Sequence, residues 1–334
     1  MPNIAHWATA NATRKDLLLR LLILVVVIAA FSIVIKGFIS VNNLYSILQV
    51  ATPIGLAAVG VGVTMLAGEF DLSVGSMTVL GGVIAVSMAP LGPGAAVAAA
   101  VAVGIGLGAT QGFLIALLRV SSLVVTIGTL ILFRGFAYLL AGDASVSLTS
   151  FEFGKWLNTR VLMFSPFSFL LIALVVGVWW ALNYSKIGHE IMAIGGGRRE
   201  AVAGGIKPQR PVTIAFAFSG GMAALGGALV SLSIGGATPT GFSETLLTAV
   251  AAAVIGGIAL SGGKGSPWGI LIGAIALGVI SSGVSVLGAP TYISQLLSGG
   301  LLLVALLSEM VSRGQIPLGF LRKAIRRRQP AVAA

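Results

Sequence analysis

The sequence predicts an all-α, polytopic integral membrane protein with about ten transmembrane helices. Three observations carry that reading. Of its 334 residues, 57% are hydrophobic and only 9% are charged. A soluble domain carries about 25% charged residues, so this chain cannot coat a water-facing surface. Apolar runs near the roughly 20 residues that span hydrocarbon as a helix recur from end to end, and mean hydropathy is +1.05. The Lys and Arg fall almost entirely on alternate connections between those runs.

The runs read as spans near Leu17–Ile35, Leu44–Ala67, Leu72–Pro90, Ala95–Leu118 and Leu123–Ala141. A second five follow near Phe164–Leu182, Pro211–Ile234, Glu244–Ser261, Trp268–Leu287 and Thr291–Ser308. Residues 1–16 are expected to form an N-terminal cytoplasmic tail, 17–310 a single transmembrane domain, and 311–334 a basic cytoplasmic tail near anionic headgroups. The first run is long for a signal peptide, and nine more follow it, so it is expected to stay as a span. Gly104, Gly108 and Gly112 repeat G-x-x-x-G on one helix face and are expected to pack helices within the subunit.

With the N-terminus inside, sixteen of the 20 Lys and Arg lie on cytoplasmic segments. Lys36, Lys155 and Arg160 lie outside, and Arg134 lies within a span. The positive-inside rule therefore puts both termini in the cytoplasm. It also explains the net charge of +11 as topology, which removes nucleic acid as a partner. There is no Cys, and His6 and His189 stand far apart. Thiolate and His-based metal sites, and a membrane enzyme built on them, are thereby disfavoured. Arg134 is expected to snorkel outward or to pair with Asp143. No Asp or Glu lies clearly mid-span, which disfavours an ion-coupled secondary transporter.

Leu260-Ser261-Gly262-Gly263-Lys264 nearly spells the LSGG motif of ATPases that grip a γ-phosphate. A Walker A loop needs Gly six residues before its Lys and Ser or Thr after it. Here those positions hold Ile258 and Gly265, and no other window fits. The stretch is expected to be a tight turn between spans, and the chain alone is not expected to be an enzyme.

"GEFDLSVGS" (Gly68–Ser76), "AAAVIGGIALSGGKGSPWGILIGAIALGVI" and "SKIGHEIMAIGGGRREAVAGGIKP" occur in chain order. Together they resemble the permease subunits of ribose-type sugar importers of the ABC class. The resemblance covers nearly the whole chain; Ala259 departs from it, where many members have Ser or Thr. It implies the ABC importer permease fold in a bacterial inner membrane. It also implies a cytoplasmic ABC ATPase that binds the ATP, an extracytoplasmic sugar-binding protein, and a second permease subunit, identical or not. No cofactor is expected in this chain. Permeases for branched-chain amino acids or nucleosides share the plan and remain the alternative.

The loop 184–210 is the longest expected cytoplasmic connection between spans. "REAVA" favours a short helix, and Gly204 and Gly205 end it, with Gly204 expected to take the left-handed position. Read alone, the loop is either a docking element or a solvated basic connection. The resemblance assigns the coupling role, carried by Glu200, Ala201, Ala203, Gly204 and Gly205. Glu69 and Asp71 are expected at the cytoplasmic interface, where a carboxylate escapes most of the roughly 2.5–3.5 kcal/mol cost of the bilayer centre. Asp71 or Ser73 then caps the next helix, or Glu69, Asp71, Ser73 and Ser76 gate an inner mouth. Gln49 and Gln111, with Thr52, Thr64, Thr126 and Thr129, are polar groups inside spans. They suit a sugar path or bonds between helices.

Overall fold

The computed structural model describes residues 3–142, 144–242 and 244–312. Thirteen helices run in order among them: α1 (Asn3–Val34), α2 (Val41–Leu66), α3 (Val74–Met88), α4 (Pro93–Leu118), α5 (Ser122–Ala141), α6 (Glu152–Leu157) and α7 (Pro166–Tyr184). Then come α8 (Lys186–Gly196), α9 (Arg198–Ala203), α10 (Gln209–Ile234), α11 (Thr245–Ile255), α12 (Pro267–Val286) and α13 (Thr291–Ser312). Two-residue strands β1 (Val146–Ser147) and β2 (Gly236–Ala237) pair antiparallel, with Val146 facing Ala237. Eight helices are long and apolar enough to cross a membrane, and α11 and the apolar part of α13 are shorter. The expected ten segments are therefore present. The basic tail lies almost wholly outside the described residues.

Helices α2, α3 and α10 form the buried centre, while no residue of the α1 span at Leu17–Val34 is fully buried. Helix α10 packs along α4, α3 and α2. The closeness of α4 to α10 comes from the G-x-x-x-G face. A Cβ on Gly104 would stand 2.5 Å from the Gly220 carbonyl, and one on Gly108 would stand 2.2 Å from that of Phe216. The glycines pack helices within the subunit, as expected.

The connections sort to two ends. At the basic end lie the segments after α2, α4, α7 and α11, tied together by contacts such as Gly263 N–H to Leu66 O at 2.9 Å. At the opposite end, α6, the β1–β2 pair and the turns after α1 and α3 gather, with Asn158 donating to Ser233 O at 3.1 Å.

The eighth segment departs from expectation. The predicted span Glu244–Ser261 is helical only over Thr245–Ile255. Gly257 turns left-handed at φ +79°, and Gly256 presses so close to α12 that a Cβ would lie 2.4 Å from Gly269 O. The start of α11 meets the start of α3, since a Cβ on Gly75 would be 3.4 Å from the Leu246 Cβ. Two helices thus begin side by side inside the bundle, each reached through irregular chain.

Candidate functional site

The turn after α2 is bent by Gly68 at φ +77° and carries Asp71, which is 1% exposed. Its carboxylate gathers four donors. Oδ1 accepts from Ser73 N–H (3.0 Å), Ser73 Oγ (2.6 Å) and Gln111 Nε2 (3.2 Å). Oδ2 accepts from Ser219 Oγ (2.7 Å). Gln111 also donates to Ser73 Oγ and accepts from Thr129. The same turn is pinned to α5: Phe70 N–H donates to Ser122 Oγ (3.2 Å), and Thr126 donates to Phe70 O (3.4 Å).

This geometry corrects two expectations. Asp71 is not at an exposed interface. Ser219 lies ten residues into α10, about 15 Å along it. Nor does Asp71 or Ser73 cap α3. Ser73 occupies the N-cap position with no side-chain capping bond, and Asp71 instead closes a turn onto Ser73 N–H. The carboxylate is a cross-link between the 67–73 turn, α4 and α10. The carboxyl group can be buried here because four donors converge on its two oxygens.

The gate and path candidates divide into separate groups. Asp71, Ser73 and Gln111 come together. Ser76 is buried one turn into α3, and its Oγ has no partner. Gln49 belongs elsewhere, in a network toward the opposite end with Tyr45 Oη (2.7 Å), Asn158 Oδ1 (3.0 Å) and Ser165 Oγ (3.0 Å). Thr52 and Thr64 bond their own helix carbonyls.

Glu69 faces away from this cluster and pairs with Arg198 at 2.7 Å, its side chain 9% exposed against 43% for the arginine. Arg198 opens α9, so the pair bridges the 67–73 turn and the long basic loop. Beside it, three backbones meet at glycines. A Cβ on Gly195 would stand 1.8 Å from Leu66 O and 2.7 Å from Gly263 N, and one on Gly262 would stand 2.8 Å from Gly68 Cα. Gly262 and Gly263 both hold left-handed φ, +82° and +71°. The LSGG stretch is therefore a tight turn, and its glycines let it nest between α8 and the 67–73 turn.

Arg198→Glu should place two carboxylates against each other, one of them nearly buried. Thermal stability in detergent is expected to fall, by roughly 1 kcal/mol for a pair whose arginine is partly solvated. The double change Glu69→Arg with Arg198→Glu should recover most of it. An unaffected single variant would show the pair to be idle.

Residues 43–306 match the family model described as branched-chain amino acid transport system / permease component. The ribose import permease of Escherichia coli (strain K12) is 32% identical over 86% of this chain and 92% of its own length. The chain belongs to this permease family. The permease is also 30% identical to the D-allose transport system permease of E. coli (strain K12), over 87% of this chain and 91% of that one. With the ribose import permease of Bacillus subtilis (strain 168) the identity is again 30%, with the same coverage. No solved structure matches.

In the permease, the loop 184–210 is two helices, α8 and α9, and α9 carries the expected Glu200, Ala201 and Ala203. Ala201 is buried, while Glu200 and Ala203 are exposed. Gly204 ends α9 at φ −77°, so it is Gly205, at φ +88°, that takes the left-handed position. Sequence reasoning missed Ser219, which sits in "FSGGMAALGG" and reads as one more small packing residue. It also missed Gly195 and the Arg198 pairing. Three successive glycines at 195–197, more than a helix C-terminus needs, were the available signal.

Proposed function

We propose that this permease moves a small sugar, a pentose or hexose, inward across a bacterial cytoplasmic membrane, driven by a separate ABC ATPase. The sugar class rests on its relatives, which are named for ribose, allose and, in Azospirillum brasilense at 27% identity, L-arabinose. The observation that carries the mechanism is the junction of α8–α9 with the 67–73 turn and the 262–263 turn. On this reading the basic end faces the cytoplasm, in line with the positive-inside rule. The exposed side of α9, with Glu200, Ala203 and Gly205, seats in a cleft of the ATPase. When the ATPase closes, α8 moves with it. Gly195 and Arg198 then transmit that shift to the turn holding Glu69 and Asp71. Asp71, with Ser73 and Gln111, holds α3, α4 and α10 in register, so displacing the turn re-spaces those helices and opens or closes the inner mouth. Sugar selection falls largely to an extracytoplasmic binding protein, and a second permease subunit completes the path.

Because the chain has no Cys, Ala203→Cys supplies a unique label. Impermeant thiol reagents should block it only in inside-out vesicles, and it should crosslink to a cysteine placed in the ATPase cleft. Labelling from the outside would reverse the topology and remove the coupling mechanism. Uptake assays with labelled ribose, allose, arabinose and leucine test the cargo. Leucine uptake without sugar uptake would move the permease to the amino-acid branch.

A further inference from the structure

The chain between α10 and α11 does not stay at the membrane surface. It leaves α10 at Ile234, forms β2, and then meets Arg134, which donates to Pro239 O and to Gly241 O (3.0 Å). Arg134 lies twelve residues into α5, about 18 Å from the basic end and seven residues before Ala141. The peptides of 239–241 therefore lie within an arginine side chain's reach of a point about 10 Å below the outer end of α5, and they are not helical. Irregular backbone at membrane depth is tolerated only where it is buried in protein or lines a watery cavity. Thr240 is exposed, so this segment does not sit in a sealed core. Phe242, at φ +55°, holds a left-handed conformation that a side chain adopts only when surrounding contacts enforce it. Immediately afterward α11 begins, side by side with α3 one turn from the Asp71 cluster.

Arg134 supplies the enforcing contact. Both bonds leave a single nitrogen, Nη1, whose two N–H groups tie the carbonyls of residues 239 and 241 to one point. Among the described residues it has no carboxylate partner, and Asp143, the expected one, lies outside them. The far end of α11 is treated the same way, with Arg20 of α1 donating to Gly257 O at 3.4 Å. Helix α5 thus carries Ser122, Thr126 and Thr129 on one face, with Arg134 turned well away from it. Ser122 and Thr126 hold the turn before α3, Thr129 holds Gln111, and Arg134 holds the segment before α11.

We infer that Arg134 is a positioning residue, and that the segment Gly235–Phe242 it pins is the gate at the end of the path opposite the Asp71 cluster. The inference rests on the transport reading for its purpose, but its geometry is testable without any sugar. The bonds run to neutral carbonyls, which water can replace, so the segment can be released when that end opens. Thr238 and Thr240, whose hydroxyls bond each other at 3.0 Å, would then meet the incoming polyhydroxylated solute.

The test is the rate at which an impermeant maleimide labels Thr240→Cys in the membrane-embedded permease, with and without Arg134→Gln. Lys36→Cys, exposed in the turn after α1 at the same end, serves as the reference. Arg134→Gln should raise the Thr240 rate at least about fivefold and leave the Lys36 rate unchanged, with Arg134→Lys intermediate. An unchanged Thr240 rate would overturn the proposal. Equal acceleration at both sites would also overturn it, because Arg134 would then be holding the whole bundle together. Sugar and ATP are absent from the assay, so a wrong cargo assignment leaves its outcome untouched.

Discussion

Asp71→Ala is expected to be the most damaging single truncation at the basic end. It removes one acceptor group and strands four donors, on Ser73, Gln111 and Ser219. Hydroxyls can rotate toward other acceptors, but the Ser73 N–H and the Gln111 amide are fixed by their helices and turn. Each buried donor left unpaired costs about 1–3 kcal/mol, so a loss of about 2–4 kcal/mol is expected. Thermal unfolding in detergent should occur at a clearly lower temperature, and uptake should fall below detection. Asp71→Asn separates charge from geometry. Its Oδ1 can keep the three contacts to Ser73 and Gln111, and its amide can donate to Ser219 Oγ. It should fold, and retain measurable uptake if the carboxylate acts as a cross-link. If Asp71→Asn folds fully yet transports nothing, the charge itself is needed in the cycle. If Asp71→Ala unfolds like the wild type, the cross-link is energetically idle.

That cluster also shows where sequence reasoning stops. Asp71, Ser73 and Gln111 were each conspicuous as polar groups in apolar surroundings, because hydrocarbon penalises them individually. Their meeting was not visible, since Gln111 and Ser219 come from helices 40 and 148 residues away. Gln49 looked equivalent to Gln111 by the same criterion and proved to sit with Tyr45, Asn158 and Ser165. The spans were legible because length and hydropathy report on the bilayer itself. The eighth was overextended because Ile258, Ala259 and Leu260 are apolar without being helical. Hydropathy cannot register that Gly256 must touch Gly269. The G-x-x-x-G face of α4 was legible because three glycines at helical spacing have one simple use. The glycines at 195–197 and 262–263 were harder to read, since only their three-dimensional neighbours say which one is crowded.

Gly195→Ala turns that difference into the sharpest test of transmission. The new methyl would stand 1.8 Å from Leu66 O and 2.7 Å from Gly263 N, which is inside the bond that Gly263 N–H makes to Leu66 O. Neither neighbour is a flexible side chain that could swing away; both are backbone at turns already committed to left-handed glycines. The methyl must therefore push α8 off the 67–73 and 262–263 turns, a strain of about 1–3 kcal/mol or more. The span helices are untouched, so membrane insertion and amount should remain near normal. If α9 docks on the ATPase as proposed, uptake should fall at least about tenfold while ATP hydrolysis by the assembled transporter continues, because the new methyl leaves α9 itself unaltered. Gly196→Ala is the matched control: a Cβ there meets nothing within 4 Å, and uptake should be nearly unchanged. Equal loss in both variants would mean that helix flexibility, rather than the crowded contact, matters at this loop. Equal retention would mean that α8 and the 67–73 turn do not need to touch for sugar to move, and the path from ATPase to Asp71 would have to run elsewhere.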